Sequence, residues 1–320
     1  MRNKKIIWLA VIAVVIFAFF FVNDQQHEQA QSEKNLDIKV GVLAYLGTTE
    51  KEFQDGFDKF RDFVISSDRS EELLKDDFIN SLVQNRRIIR FYDSLMALIM
   101  DLKAKKLDEI ILPENVGIYL LKHDTAYENA FETKILSSGV CFGFREDNTD
   151  LKNDFDKVLY EMKADGTLEN FALQYVLTSY DREPEPTRPE KIKNSPDEIK
   201  IAITGDMPPI DMFAGDGKPT GYNTAVLSEI SKRLNKNIKF INTDAGGRSA
   251  ALMSGRADAV FWYRATQSSI EGDDPFDNLF KDAPEGAILS SPYFSWKNEI
   301  IIRLNGNKSL LGIFSKEKEK

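Results

Sequence analysis

The side chains that most often catalyse reactions or hold metal ions are scarce in this sequence. The 320 residues include one cysteine, Cys141, and two histidines, His27 and His123, which lie far apart. Without a cysteine cluster or a His-x-x-x-His pair, a zinc site is not expected, and the sequence predicts no cofactor. There is also no serine-histidine-aspartate set and no glycine-rich phosphate loop of usable spacing. The composition therefore favours binding over catalysis.

The charge and the N-terminus indicate an exported protein. A net charge of -9 argues against nucleic acid as a partner. Arg2, Lys4 and Lys5 precede 17 uncharged apolar residues, Ile6 to Val22, which would form a helix of roughly 26 Å, close to the thickness of a bilayer core. Basic residues on this flank predict an extracytoplasmic body. An uncleaved membrane anchor and a cleaved signal peptide are both compatible with this segment.

The remaining sequence divides into two bodies joined by a linker. Residues 1–36 form the signal or anchor segment and a polar spacer, and residues 37–180 form the first body. Residues 181–197 contain four prolines among many charges, which predicts an extended linker. Residues 198–320 form the second body and end in a charged tail. About 140 and 120 residues are enough for a core in each body.

Both bodies alternate apolar strands with helices, which predicts an α/β fold with parallel sheets covered by helices. A local repeat links them: "LKAKKLDEII" (102–111) and "LMSGRADAVF" (252–261) each end a helix, turn, place an aspartate and enter a strand. Asp108 and Asp258 can simply cap these turns. The match also indicates two lobes of related design.

Four segments of the second body, in order and spacing, resemble the first lobe of the family 3 extracellular solute-binding proteins. They lie between residues 198 and 304 and are "IKIAITGDMPPIDM", "DGKPTGYNTAVLSEISKRLNKNIKFI", "ALMSGRADAVF" and "SSPYF". The resemblance implies a two-lobed periplasmic-binding-protein type II fold with a two-strand hinge. It also implies capture of a small solute, an amino acid or related carboxylate, for an ABC transporter permease.

The first body resembles the second lobe of the same family, so the lobes stand in reversed order. "KVGVLAYLGTTEKEF" is similar to that lobe's opening, and "GVCFGF" with the helices of residues 151–176 is similar to the return from it. We interpret the chain as a circular permutant, with the strands "GVCFGF" and "NEIIIRL" side by side as hinge crossings. Two tandem, truncated copies are the alternative.

The resemblance places several candidate ligand-binding residues in the second body. Asp206 and Met207 occupy the turn after its first strand, although Met207 can equally fill the hinge core. Arg264 is the best available carboxylate clamp, because a guanidinium donates two parallel hydrogen bonds; a surface ion pair is its alternative. Arg248, at a helix start, is the second choice. Trp262, beside Tyr263, forms an aromatic floor or fills the cleft.

In the first body, Gly47, Thr48 and Thr49 match the family's Gly-Thr turn, whose amides and hydroxyls can bind a carboxylate. Ordinary capping by threonine explains the same residues. Pro113 stands where the family has an aspartate for the ligand's amino group, and Glu114 is adjacent. This departure puts specificity for α-amino acids in doubt.

The sequence thus predicts an extracytoplasmic, non-enzymatic solute-binding protein held at the membrane by its N-terminal helix. A catalytic alternative would need an acid and a base in the cleft, such as Glu114 with Asp206. A membrane-anchored sensory or scaffolding domain of the same fold is the other alternative.

Overall fold

The structure is a computed structural model that describes residues 37–44, 49–133, 137–178, 184–193, 195–266, 285–296 and 298–306; for 133, 137, 138 and 262–266 it describes the backbone only. The strands are β1 (Ile38–Leu43), β2 (Arg87–Tyr92), β3 (Glu109–Pro113), β4 (Tyr127–Thr133), β5 (Ser137–Arg145), β6 (Glu198–Ile203), β7 (Asp206–Met207), β8 (Asp211–Phe213), β9 (Pro219–Thr220), β10 (Asn237–Asn242), β11 (Ala259–Thr266), β12 (Ala287–Leu289), β13 (Phe294–Trp296) and β14 (Glu299–Leu304).

The helices are α1 (Glu50–Ser66), α2 (Ser70–Leu73), α3 (Asp77–Gln84), α4 (Leu95–Lys103), α5 (Glu114–His123), α6 (Thr149–Ala164), α7 (Thr167–Ala172), α8 (Tyr222–Leu234) and α9 (Gly247–Met253), with a π-helical turn at Leu173–Leu177. The helical stretch of residues 151–176 is interrupted at Gly166. The φ of Gly166 is 78°, which is left-handed, a conformation that glycine adopts without steric cost.

Each of the two lobes is built on one sheet, and the two sheets share the same arrangement of five strands. The first sheet, the core of what we call lobe 2, has the order β2-β1-β3-β14-β4. The second, the core of lobe 1, has the order β10-β6-β11-β5-β12, and β13 also pairs with β5. In each sheet the first three strands are parallel and the fourth is antiparallel to them. The predicted two-lobed α/β fold is confirmed.

Each half of the chain donates the antiparallel strand of the other half's sheet. β5 comes from the N-terminal half but lies in lobe 1, and β14 comes from the C-terminal half but lies in lobe 2. The chain therefore crosses between the lobes twice, after β4 and after β13. Neither sheet is complete without residues from both halves.

The expectation that "GVCFGF" and "NEIIIRL" lie side by side is wrong, because these strands, β5 and β14, belong to different sheets. The two crossings themselves are neighbours and run antiparallel. On the lobe 2 side Thr133 pairs with Glu299, and on the lobe 1 side Ser138 pairs with Trp296. The hinge is thus two adjacent strands, β4 to β5 and β13 to β14.

The local repeat has the same geometry in both lobes. Asp108 accepts a 2.8 Å hydrogen bond from the Lys39 amide, and Asp258 accepts one of 2.8 Å from the Lys200 amide. Each aspartate amide in turn donates to the carbonyl of the same lysine. These aspartates therefore do more than cap a turn, because each one pairs the start of the third strand with the first strand.

Helices cover both faces of the sheets, and the return helices belong to lobe 1. α6 and α7 pack against α8, and α6 also contacts β5 and β12, as predicted for residues 151–176. The largest apolar cluster contains side chains of both lobes, such as Leu98 and Ile201. Cys141 is buried, as expected of a small apolar residue.

The proline-rich segment is anchored rather than free. The Tyr175 hydroxyl donates to the Glu185 carbonyl over 2.9 Å, and Arg188 donates to the Pro219 carbonyl over 2.9 Å. The predicted helix Ile6 to Val22 lies outside the described residues. Within the described ranges, no helix is long and apolar enough to cross a bilayer.

Candidate functional site

The carboxyl ends of the parallel strands of the two lobes face each other. Asp93 follows β2 and Ala245 follows β10, and the Ala245 amide donates to the Asp93 carbonyl over 3.2 Å. A Cβ on the next residue, Gly246, would lie 3.0 Å from an Asp93 carboxylate oxygen, so the lobes are in close contact here. Ligands of open α/β sheets bind outside the carboxyl ends of the strands. The crevice between the lobes is therefore the candidate site.

The lobe 1 side of this crevice carries two carboxyl groups that share one hydroxyl. The amides of Thr204 and Gly205 each donate to Asp211 Oδ2 over 3.0 Å. The Thr204 hydroxyl lies within hydrogen-bonding distance of both Asp206 Oδ1 and Asp211 Oδ2. The turn that brings these groups together directly follows β6 and includes Gly205, whose φ of 68° suits glycine.

Burial disfavours the charged form of Asp211. Asp211 is fully buried, and burial raises the pKa of its carboxyl group, while the Gly205 and Thr204 amides oppose the rise and the Asp206 charge adds to it. Its Oδ1 atom finds no hydrogen-bond partner within the described residues. A second negative charge here is therefore costly, and the pair is suited to a proton or to a cationic group of a ligand.

The lobe 2 side of the crevice presents the start of α5 beside the second hinge crossing. Pro113 precedes the helix and makes no side-chain cap. The Glu114 amide donates to the Asn298 carbonyl over 3.2 Å, and the Asn298 side chain donates to Glu114 Oε1 over 3.1 Å. The helix start is therefore fixed to the hinge strand, where its dipole favours negative charge.

Two side-chain amides at this point retain unused hydrogen-bonding capacity. Asn115 is only 3% exposed, yet neither its Oδ1 nor its Nδ2 atom is hydrogen-bonded in the part of the chain that the structure describes. The same holds for Asn298 Oδ1. Because an unpaired buried polar group costs about 1–3 kcal/mol, these atoms are expected to have partners in the working protein.

The hinge also buries a carboxyl group. Glu299 begins β14 and is fully buried, and the Trp296 indole donates to its Oε1 over 3.2 Å. Among the described residues, no group of three or more His, Cys, Asp and Glu side chains is arranged to hold a metal ion.

Three of the predicted residues occupy positions that can be compared directly with expectation. Asp206 and Glu114 lie on opposite sides of the crevice, as described above. Met207 is 1% exposed and belongs to the apolar cluster, so it fills the core, and β7 contacts α4 of the other lobe. Its side chain therefore packs at the lobe interface, which was the simpler alternative.

Thr49 and Arg248 have structural partners. Thr49 caps α1 in a reciprocal capping box with Glu52, which donates its amide to the Thr49 hydroxyl over 3.2 Å and accepts the Thr49 amide over 2.8 Å. Arg248 is buried and donates to the carbonyls of Ala245 and Phe261. Both side chains therefore make structural contacts within their own lobes.

The other predicted residues are described only in part. Gly47 and Thr48 lie outside the described residues. The backbone of Trp262 and Arg264 belongs to β11, where they pair with Cys141 and Gly139 of β5, but their side chains lie outside the described part. β11 runs parallel to β6, so its carboxyl end lies at the same edge of the sheet as the turn that follows β6.

The sequence did not single out Asp211, Asn115 or Asn298. Asp211 could have been noticed from its place in the "PPIDM" turn, three residues after Pro208. Asn115 adjoins the predicted Glu114. Asn298 carries no sequence signal, because it reaches Glu114 only through a contact across 184 residues.

Part of lobe 1 matches a known family. Residues 199–267 match the sequence profile of the bacterial extracellular solute-binding proteins, family 3. The predicted resemblance is thus confirmed over this segment, which runs from β6 to the end of β11. The structure has the two lobes and the two hinge crossings expected of the type II periplasmic-binding-protein fold. No curated protein matches the chain.

Solved structures with a similar fold are distant in sequence. The ligand-binding component of an ABC-type import system from Staphylococcus aureus is 9% identical, with 85% of this chain and 67% of that chain covered and a TM-score of 0.38. The GluR0 ligand-binding core from Nostoc punctiforme, in complex with L-glutamate, is 11% identical, covering 86% and 91%, with a TM-score of 0.34. The Bordetella pertussis BvgS periplasmic domain is 12% identical, covering 90% and 40%, with a TM-score of 0.38. This chain therefore spans less than half of the BvgS periplasmic domain.

Proposed function

We propose that this protein captures a small polar solute, an amino acid or a related carboxylate, in the crevice between its lobes. The observation that carries the proposal is Asn115 at the α5 start, opposite the Asp206 and Asp211 pair: it is buried and has no hydrogen-bond partner among the described residues. Such a site offers amide groups on one side and acidic groups on the other. The match of residues 199–267 to a solute-binding family supports the same conclusion.

The acidic side of the crevice would hold a cationic group of the solute. An ammonium group beside Asp206 and Asp211 would lower the raised pKa of Asp211 and supply charge-assisted hydrogen bonds. Glu114 could take part from the opposite lobe. A solute that touches both lobes stabilises the closed form, because only closure brings both sets of groups to it.

For the solute's carboxylate, Arg264 and the Gly47–Thr49 turn remain our candidates. A charge-assisted hydrogen bond contributes about 1.5–3 kcal/mol, so Arg264→Ala should weaken binding roughly 10- to 150-fold. Thr49→Ala should weaken it less, because the backbone amides remain. Calorimetry with an identified solute measures both; unchanged affinity in Arg264→Ala would move the assignment to Arg248.

The binding reaction can be tested by thermal shift. The protein is melted with each of the twenty L-amino acids, short peptides and small dicarboxylates, with lithium chloride at equal ionic strength as the control. Ligand at about 100 times Kd should add about 2.7 kcal/mol to the unfolding free energy. If no compound raises the melting temperature, a sensory or scaffolding role with a filled cleft would replace solute capture.

We further propose that the protein is exported, is held at the membrane by Ile6 to Val22, and delivers its solute to an ABC transporter permease. The basic flank and 17 apolar residues support export, and one similar structure is the ligand-binding component of an ABC-type import system. Membrane-extracted protein should retain Met1 by N-terminal sequencing. A mature N-terminus near Gln31 in a soluble fraction would instead establish a cleaved signal.

Circular permutation is our proposal for the order of the lobes. β14 runs antiparallel to β3 and β1 runs parallel to it, so Leu304 and Ile38 lie at the same end of the first sheet. Only β3 separates them, a gap of about 10 Å at the usual strand spacing. A chain rejoined from 304 to 38 by a short linker and opened in the 181–197 segment should therefore fold. Independent folding of residues 37–180 and 198–306 would favour tandem copies.

A further inference from the structure

A cavity of about 200 Å³ lies where the two lobes meet the proline-rich segment, and none of its lining residues is among those assigned to the solute site. It is bordered by α5, the π-helical turn, the segment 184–186 and the β7–β9 hairpin, and it is partly open to solvent. Its walls include Tyr119, Tyr175, Pro184, Pro186, Pro209 and Met212. Neither the resemblance nor the proposed solute site accounts for it.

The cavity is built from parts that can move relative to one another. Tyr119 belongs to α5 of lobe 2, whose start is fixed to the hinge through the Glu114 amide and the Asn298 carbonyl. Pro209 and Met212 belong to the hairpin of lobe 1. A change in the angle between the lobes would therefore widen or narrow the space between Tyr119 and the hairpin.

The other walls are held in place by hydrogen bonds. The buried Tyr175 hydroxyl bonds to the Glu185 carbonyl over 2.9 Å and to the Thr187 hydroxyl. Arg188 donates to the Pro219 carbonyl and, over 3.1 Å, to Asp216. The proline-rich segment is thereby fixed to the hairpin, and a preformed wall lowers the ordering cost of binding.

The lining indicates the chemistry of the ligand. Tyrosine rings, proline rings and a methionine sulfur favour flat apolar groups, since aromatic rings stack on one another and sulfur contacts ring edges. The Tyr119 ring is itself held by stacking on His123, with 4.0 Å between centroids. A cavity of about 150 Å³ is large enough to bind benzene, so this one, of about 200 Å³, has room for a molecule such as indole. Glu185 and Thr220 add polar groups to the same lining, which suits the indole N–H.

We propose that this cavity binds a small aromatic molecule and that its occupancy biases the angle between the lobes. The second part rests on the proposed solute-binding function, because that function requires the lobes to open and close. The first part does not depend on the crevice or on the identity of its solute.

The test uses the full chain in detergent and indole as the probe, with binding followed by ligand-observed NMR. Fragment-sized ligands of this kind bind with Kd on the order of 1 mM. Tyr119→Ala removes a wall of the cavity and should weaken indole binding at least about tenfold. Ala214 also lines the cavity, and Ala214→Leu should weaken binding to the same extent by filling it. Tyr160→Ala, an exposed tyrosine on α6, is the matched control and should leave binding unchanged.

The two parts of the proposal have separate outcomes. Absence of saturable binding at about 10 mM indole, ten times the expected Kd, or equal binding by Tyr119→Ala and Ala214→Leu, overturns the site. The distance between spin labels at Met100→Cys in lobe 2 and Lys157→Cys in lobe 1 reports the lobe angle. If indole binds but leaves that distance distribution unchanged, the bias is overturned while the solute-binding proposal stands.

Discussion

Replacing Asn115 by leucine should stabilise the unliganded protein. The Asn115 side chain is buried, and its two polar atoms find no partner among the described residues. Burying such an amide without hydrogen bonds costs about 1–3 kcal/mol. Leucine has the same number of side-chain heavy atoms and the same branching at Cγ, so it removes this cost with little change of shape. At about 2–4 °C per kcal/mol for a chain of this size, the melting temperature should rise by roughly 2–12 °C.

The matched control is Asn237→Leu. Asn237 accepts from the Ile192 amide over 2.9 Å and donates to the Ser195 carbonyl over 3.1 Å, so its loss leaves partners unpaired and should destabilise by about 1–3 kcal/mol. Urea unfolding of wild type and both variants, without solute, measures the difference. If Asn115→Leu loses as much stability as Asn237→Leu, Asn115 is satisfied within the unliganded protein and is not reserved for a solute. If it gains stability but binds a solute identified by thermal shift as tightly as wild type, the site assignment is wrong.

Three further predictions follow from single contacts. Because the pKa of Asp211 is raised on folding, the folded state binds its proton more tightly than the unfolded state, whose pKa is about 3.9; stability from this group is present below pH 4 and is lost as the pH rises. In urea unfolding, Asp211→Asn should therefore gain stability relative to wild type as the pH is raised from 4 to 7. A difference in unfolding free energy that stays constant over this range would refute the prediction. The control Asp216→Asn should show the opposite trend, because the pKa of Asp216 is lowered on folding. Glu109→Gln should destabilise by about 3–5 kcal/mol, since it leaves the buried Arg87 guanidinium without its counter-charge; the double variant with Arg87→Met should recover part of this loss, and equal losses would contradict the reasoning. Tyr175→Phe removes the hydroxyl that bonds to Glu185 and should make the proline-rich segment the first site of limited proteolysis; a cleavage pattern equal to that of wild type would contradict this.

The strand pattern of the sequence predicted most of the sheets, because the inner strands are nearly continuous apolar runs. It also identified the equivalent aspartates Asp108 and Asp258, since both turns repeat locally. The strands β4, β12 and β13 were missed; β12 and β13 have three residues each, which leave no periodicity. The strands that pair at the crossings were predicted wrongly. Their pairing depends on contacts between residues more than 150 positions apart, such as Ser138 and Trp296.

The candidate site was less predictable than the fold. Asp206 and Glu114 were located because they sit next to strand ends that the sequence identified. Asn115 and Asn298 were not, because a missing hydrogen bond is a property of tertiary packing rather than of sequence. Met207 was ambiguous for the same reason: an apolar side chain beside a cleft can fill the core or contact a ligand, and only burial distinguishes the two.

The central claim is that a small carboxylate solute binds between the lobes and closes them. Electron paramagnetic resonance measures the distance between the lobes from spin labels at Met100→Cys and Lys157→Cys. The native Cys141 is buried and stays unlabelled. The solute from the thermal-shift series with the largest effect should convert a broad distance distribution into a narrower and shorter one, and Asn115→Leu should reduce this change at the same solute concentration. A distribution that stays the same at saturating solute would contradict the account.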